Sequence, residues 1–214
     1  MSLLSEGYPF IHQELECFAA TGKVFLEIGC GVGQYKKTIV SKGAQYIGVD
    51  VTDKDYGAQK RNVDIVADAA NLSAIEDASI DVVFMVAVFY LLPAQDISLR
   101  EFFRILKPGG SVLFFDYTEK TINRMIPNHY EMLLRDRSHY QLYANINVNN
   151  FIGVYRKLRF AGFRKINLLV NKNMYRPSLA RVIFFLAYRV LPITWFAKLN
   201  DRYGLWSVIS ASKF

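Results

Sequence analysis

Cysteine is scarce: Cys17 and Cys30 are the two in the chain, too few for a disulfide framework and without the paired spacing of a structural zinc site. The three histidines, His12, His129 and His139, are scattered and form no His-x-x-x-His pair, so no metal centre is expected. Long apolar runs are missing as well. In the most apolar stretch, Leu179 to Ala197, the longest uncharged apolar run is Val182 to Tyr188, far short of the roughly 20 residues that a bilayer span requires. The start of the chain, Met1-Ser-Leu-Leu-Ser-Glu-Gly, lacks the basic residues and apolar centre of a signal peptide, which gives a cytoplasmic expectation. No internal repeat is visible.

What is present describes a folded chain. With 52% hydrophobic and 21% charged residues over 214 positions, the composition suits one globular domain spanning 1–214 with a substantial core. Charge is unevenly placed. Residues 1–99 carry a net −6 and residues 100–214 a net +13. The basic half reads either as an ordinary solvated face or as a surface for an anionic partner, membrane or nucleic acid.

The chain is organised around Val24-Phe-Leu-Glu-Ile-Gly-Cys-Gly-Val-Gly-Gln-Tyr35. An apolar run that breaks into glycines and then into polar, helix-compatible residues predicts a buried strand turning sharply into a helix. Without Cβ, Gly29, Gly31 and Gly33 allow positive φ and close approach of a ligand to the backbone. The spacing is Gly-x-Gly-x-Gly, not the Gly-x-Gly-x-x-Gly of dinucleotide sites. Glu27 stands two residues before the first glycine, where a carboxylate repels a pyrophosphate and attracts a cation. A cationic nucleoside therefore fits better than a dinucleotide, although a tight strand–helix connection alone would also use such glycines.

Strand and helix then alternate. A short helix from Pro9 to Ala20, ended by Gly22, leads into the first strand; its His12, with Tyr8, reads as a surface position or as a pocket lid. A helix over Gln34 to Lys42 ends at Gly43, and a second strand over Ala44 to Asp50 ends on a carboxylate placed to accept ribose hydroxyls, or to cap the turn that follows. Third and fourth strands are expected over Asn62 to Asp68 and Ser79 to Ala87, the latter almost wholly apolar as in a parallel strand covered on both faces. A helix over Ser98 to Leu106 is stopped by Lys107-Pro-Gly-Gly110 before a fifth strand, Ser111 to Asp116. This order gives an α/β fold with a doubly wound, mostly parallel sheet and helices on both faces.

At this point the residues resemble the class I S-adenosylmethionine-dependent methyltransferases, in particular the compact methyltransferase type 11 group. The resemblance rests on Leu26-Glu-Ile-Gly-Cys-Gly-Val-Gly, Ile47-Gly-Val-Asp50, Val66-Ala-Asp-Ala-Ala-Asn-Leu72, Ser79-Ile-Asp-Val-Val and Phe103-Arg-Ile-Leu-Lys-Pro-Gly-Gly110. It implies a Rossmann-like seven-stranded sheet with an antiparallel last strand, and S-adenosylmethionine as cofactor, leaving as S-adenosylhomocysteine. It further implies that Glu27 and the turn Gly29, Cys30, Gly31, Gly33 face the methionine part and ribose. Asp50 and Val51 would then hold the ribose side, Asp68 and Ala69 the adenine edge, and Val86 with Ala87 the floor beneath the methionine.

One position departs from that pattern. Members of the group often carry histidine after strand four, where this chain has Val88-Phe-Tyr-Leu-Leu92. Tyr90 is therefore a candidate to orient or deprotonate an acceptor, against its reading as an amphipathic wall residue. No Asn/Asp-Pro-Pro-Tyr motif follows strand four and no spare pocket cysteine is evident, which disfavours amino-directed and cytosine C5 chemistry.

The second half is where acceptor choice is expected. Residues 117–147 form a polar insertion read as an acceptor lid, with His129 a candidate general base or a solvated histidine. A helix over Phe151 to Ala161, a strand over Phe163 to Val170 and an antiparallel strand over Leu205 to Lys213 complete the fold. Residues 171–204 form an apolar and basic helical insertion, of which 178–199 is suited to lying on an anionic membrane surface or to packing on the domain or a second copy. The reading is a methyltransferase acting on a small-molecule or lipid-linked acceptor, with oxygen as the receiving atom, in the cytoplasm and peripheral to the inner membrane surface. The alternatives are an RNA methyltransferase and a non-catalytic scaffold of the same fold.

Overall fold

The structure is a computed structural model and describes residues 9–55, 60–117, 150–169, 191–192, 195, 198 and 206–214. The expected lid over 117–147 falls outside the described residues from 118 on, taking His129 with it. Tyr8 and nearly all of the 171–204 insertion lie outside them too.

Helix α1 (Pro9–Phe18) precedes β1 (Val24–Ile28), the glycine turn and α2 (Lys36–Val40). Then come β2 (Gln45–Asp50), the two-residue β3 (Ile65–Val66), β4 (Ile80–Val86), a 3₁₀ turn (Phe89–Leu91), α3 (Gln95–Ile105) and β5 (Leu106–Tyr117). Helix α4 (Phe151–Phe160), β6 (Arg164–Leu169) and β7 (Trp206–Ser212) complete the described elements. The seven strands form one sheet in the order β3-β2-β1-β4-β5-β7-β6. Strands β1 to β5 run parallel, and β7 is antiparallel to both β5 and β6. Chain order reverses between β1 and β4, and such a switch point opens a crevice at the carboxyl ends of the strands.

Alternation along the buried strands assigns the two faces. Val83 and Met85 of β4 point into a cluster with Leu26, Ile28, Leu99, Phe102 and Leu158 beneath α3 and α4. Val82 and Phe84 point the other way, onto Ile11, Leu15, Phe25, Tyr35 and Ile39 beneath α1 and α2. Each fully buried Phe or Leu side chain contributes roughly 1.5–3 kcal/mol relative to exposure. Helix α1 is locked onto α2 where His12 Nδ1 and Thr38 Oγ1 share a 2.5 Å hydrogen bond and the His12 ring lies 5.0 Å from that of Tyr35. That is the surface-helix reading of His12.

Three boundaries differ from the sequence reading. Strand β3 keeps two residues of the expected seven, because Asn62 N–H is drawn to Gly31 O (2.9 Å) and the Asp64 carboxylate takes Gly48 N–H (2.8 Å). Helix α3 begins at Gln95, three residues early, where Gln95 Nε2 donates to Phe89 O and ties the helix start to the 3₁₀ turn. Strand β5 begins at Leu106 and runs through the Lys107-Pro-Gly-Gly stop, since Gly109 N–H bonds Lys213 O and Lys213 N–H bonds Gly110 O across to the end of β7.

Candidate functional site

The glycine turn joins β1 to α2 at the switch point. Gly29, Gly31 and Gly33 take φ of +69°, +52° and +68°, values that cost an L-residue about 1–2 kcal/mol. Gly29 is also sterically fixed: a Cβ there would lie 2.5 Å from Val88 Cγ2 at the end of β4. Over Gly31 the space is open, with no atom within 4 Å of a Cβ built there.

The N–H groups of this turn are already committed. Gly29 and Cys30 donate to Val49 O (2.8 and 3.1 Å), Gly33 donates to Cys30 O (2.8 Å), and Gly31 donates to Asp50 Oδ2 (3.0 Å). A phosphate cradle needs such donors free. With those four N–H groups engaged and carboxyls at Glu27 and Asp50 on either side, the surroundings suit a cation. This fits S-adenosylmethionine, which carries a sulfonium and an ammonium, and does not fit a dinucleotide.

Glu27, the residue before the last of β1, is almost completely buried, 2% exposed. Tyr46 Oη donates to its Oε2 at 2.5 Å. Glu27 faces Gly48 in the β1–β2 register, and a Cβ on Gly48 would meet Tyr46 Cε1 at 3.2 Å and Cys30 Sγ at 2.9 Å. The missing side chain thus lets the Tyr46 ring lie along the strand to reach the carboxyl. Burial raises the Glu27 pKa from 4.5 to about 8, with the Tyr46 hydrogen bond opposing and the Asp50 charge reinforcing. At neutral pH the carboxyl is mostly protonated, not the standing negative charge that the sequence predicts. Burial and the neighbouring acids push the Tyr46 phenol upward and the Cys30 thiol up to about 12, so Cys30 is an unreactive wall residue.

Asp50, 9% exposed at the end of β2, accepts from Val51 N (2.8 Å) on Oδ1 and from Gly31 N and Arg61 Nη1 (2.8 Å) on Oδ2. Val51 contributes its N–H while its side chain is exposed. Asp68 turns back on itself, Oδ1 accepting from Ala70 N at 2.8 Å, and the Ala69 side chain belongs to the core, so an adenine edge at this point would meet main chain. Val86 ends β4. Ala87 follows at φ +56°, its N–H on Phe115 O at 2.8 Å.

Four residues of this region were missed in the sequence. Tyr46 and Asp64 are ordinary strand-edge residues until β1 and β2 pair, and Arg61 sits in a loop whose path no pattern reports. Asp116 had a signal: it ends β5 as Asp50 ends β2. Its buried Oδ1 has no hydrogen-bond partner, and the nearby N–H groups of Tyr90, Phe89 and Val88 only partly offset the burial of its charge. Burial raises its pKa from 3.8 to about 7. Tyr90 is half-buried in the 3₁₀ turn, and its N–H is the largest of the main-chain contributions that lower the pKa of this acid. Among the described residues no cluster of His, Cys, Asp and Glu could hold a metal.

Residues 26–114 match the family described as Methyltransferase domain. The chain is 30% identical over 100 residues to a sterol 4-C-methyltransferase of Caenorhabditis elegans, covering 42% of this chain and 30% of that protein. It is 30% identical over 112 residues to a malonyl-[acyl-carrier protein] O-methyltransferase of Yersinia pestis, covering 49% and 40%. The chain thus spans well under half the length of either curated relative. A solved S-adenosylmethionine-dependent methyltransferase from Archaeoglobus fulgidus superposes with a TM-score of 0.62 over 99% of this chain and 97% of that one, at 17% identity, a likeness of fold. The strand order, the acid-flanked glycine turn and the match over 26–114 agree: residues 26–114 are similar to the methyltransferase domain family, and the chain has the fold of the solved S-adenosylmethionine-dependent methyltransferases.

Proposed function

We propose that this domain moves the methyl group of S-adenosylmethionine to an oxygen of a small or lipid-linked acceptor, with Asp116 receiving the acceptor's proton. Asp116 is the observation that carries the reading. The sheet register sets Val86 beside Phe115, so Asp116 follows at the same carboxyl edge as Ala87, and Val88, whose N–H is among those lowering the Asp116 pKa, sets its side chain against Gly29. An acid titrating near neutrality beside the methyl-transfer edge is matched to a hydroxyl acceptor, which must lose a proton as the new bond forms.

When bound, the cofactor supplies an electrophilic methyl group, and this chain's residues have three tasks. Glu27 and Asp50 bind and orient it, the apolar ends of β4 and β5 exclude water, and Asp116 holds the proton at Oδ1. The name of the malonyl-[acyl-carrier protein] relative, an O-methyltransferase, supports oxygen. A lipid-linked acceptor is supported by exposed Phe160 (83%) on α4 beside Arg156 and Arg159, by exposed Trp195 (69%), and by the basic second half. We extend the proposal to work in the cytoplasm at the inner membrane surface, for which the same exposed apolar and basic residues are the support. No described helix is long and apolar enough to cross a membrane.

The test is radiolabelled methyl transfer to paired hydroxyl and amine acceptors, with phosphatidylglycerol or phosphatidylcholine vesicles. The expected result is transfer to hydroxyls, stimulated by phosphatidylglycerol and reduced at least about a hundredfold in kcat by Asp116→Asn. Transfer to amines alone would remove the oxygen reading. Full activity on a soluble acceptor, indifferent to vesicles, would remove the lipid one.

A further inference from the structure

We infer that Arg61 is a displaceable counterion that occupies the ribose side of the cofactor site, so that S-adenosylmethionine binds by taking Asp50 from it. The inference rests on the cofactor reading above and adds a residue that limits affinity.

Counting lone pairs carries the argument. A carboxylate offers about four acceptor positions. Asp50 has three engaged: Val51 N–H on Oδ1, with Gly31 N–H and the Arg61 guanidinium on Oδ2. One position is left, on Oδ1, whereas a ribose presents two hydroxyls. The two main-chain donors are fixed by the strand end and the glycine turn. Only the Arg61 side chain can leave without unmaking the fold.

The local contacts separate that side chain from its backbone. Asn62 is strapped to the glycine turn by its N–H on Gly31 O (2.9 Å), by Cys30 Sγ donating to its carbonyl (3.6 Å), and by its amide, which would lie 3.0 Å from a Cβ on Gly33. Asp64 continues the strap, holding Gly48 N–H and pairing with Lys36 at 3.5 Å. The Arg61 guanidinium is held less completely. Nη1 meets Asp50, but Nε is buried with no hydrogen-bond partner, a cost the docked pose carries. A second anion stands ready: Asp55 Oδ1 accepts the backbone N–H of Arg61 at 2.9 Å, so the carboxylate is within the sweep of the same side chain. Moving from Asp50 to Asp55 exchanges a nearly buried ion pair, 13% and 10% exposed, for an exposed one and hydrates Nε.

The experiment titrates S-adenosylhomocysteine into wild type, Arg61→Ala, Asp55→Asn and Asp50→Ala by calorimetry at 50 and 300 mM salt, with thermal unfolding of each protein with and without ligand. Arg61→Ala is expected to bind about five- to tenfold tighter than wild type at low salt, since a mostly buried charge-assisted hydrogen bond no longer competes. The advantage should persist at high salt, which screens a nearly buried pair only weakly. Ligand-free Arg61→Ala should melt lower than wild type and gain more from ligand. Asp55→Asn should bind more weakly, having lost the landing carboxylate. Weaker or unchanged binding by folded Arg61→Ala, beside wild type that binds and Asp50→Ala that does not, overturns the displacement and leaves the cofactor site standing. Folded wild type and Arg61→Ala that both fail to bind would overturn the cofactor reading and this inference with it.

Discussion

Glu27 is the group whose charge the cofactor should change most. Ligand-free, its pKa stands at about 8, so at pH 7 about one molecule in ten is ionised there. A bound ammonium or sulfonium favours the carboxylate. Binding at pH 7 should therefore release close to one proton from Glu27, and the free energy of that ionisation is subtracted from the affinity. As pH rises from 7 to 9 the ionised fraction grows about tenfold, and this contribution to affinity grows with it. The ligand's own amino group, with a pKa of about 8, titrates in the opposite sense and would mask the effect in wild type alone. Glu27→Gln keeps the ligand's titration and removes the protein's. The quantity to measure is thus the ratio of the Kd of Glu27→Gln to that of wild type for S-adenosylhomocysteine, which should rise about tenfold between pH 7 and pH 9. Calorimetry at pH 7 in phosphate and Tris, whose ionisation heats differ, should count nearly one more proton released by wild type. A ratio that stays flat, with equal proton counts, would refute the assignment of Glu27 to the cofactor's cation.

The same acid has a stability signature, shared by Asp116. A carboxyl whose folded pKa is raised favours the native state while protonated, so its contribution is complete below the unfolded pKa and is lost as pH rises through the folded one. For Asp116 the window runs from 3.8 to about 7. Asp116→Asn should gain stability relative to wild type between pH 5 and pH 8, by on the order of 2 kcal/mol; thermal unfolding at the two pH values checks this, and an unchanged difference would place the acid in contact with water. Gly29→Ala should cost about 2–4 kcal/mol, adding a left-handed φ to a 2.5 Å approach to Val88. Urea denaturation measures it, and a loss below about 1 kcal/mol would mean that Val88 moves aside freely.

Legibility in the sequence followed the range of the interactions. The strand ends at Asp50 and Val86, the turn at Gly29 and the stop at Pro108 are local events, set by glycine and proline geometry and by hydrophobic period, and each falls within a few residues of its expected place. The charge state of Glu27 was not legible, because it depends on a phenol brought over from β2 across Gly48. The engagement of Asp50 was hidden in the same way: Arg61 lies 11 positions later, in a loop with no periodicity, and meets the carboxylate only once Asn62 has docked on Gly31. Asp116 sat in plain view at a strand end, but its raised pKa comes from burial at the carboxyl edge of the sheet, which the N–H groups of Tyr90, Phe89 and Val88 only partly offset.

The acids of the first half share one electrostatic constraint. A site that attracts a cation must hold carboxyls close together, and close carboxyls repel. This protein relieves the repulsion twice before any ligand arrives: Glu27 is neutralised by a proton and Asp50 by Arg61. Because the Asp50 charge is among the causes raising the Glu27 pKa, the two devices are coupled. Removing Arg61 exposes Glu27 to an unshielded Asp50 and should drive its pKa higher still. Arg61→Ala should therefore gain affinity at pH 9, where Glu27 is largely ionised, more than at pH 7, where part of the gain is consumed in stripping a more tightly held proton. A gain independent of pH would mean that the two acids act separately. The cofactor enters by exchange, a cation for a proton at one end and a ribose for a guanidinium at the other, and its affinity is the difference between what it brings and what it displaces.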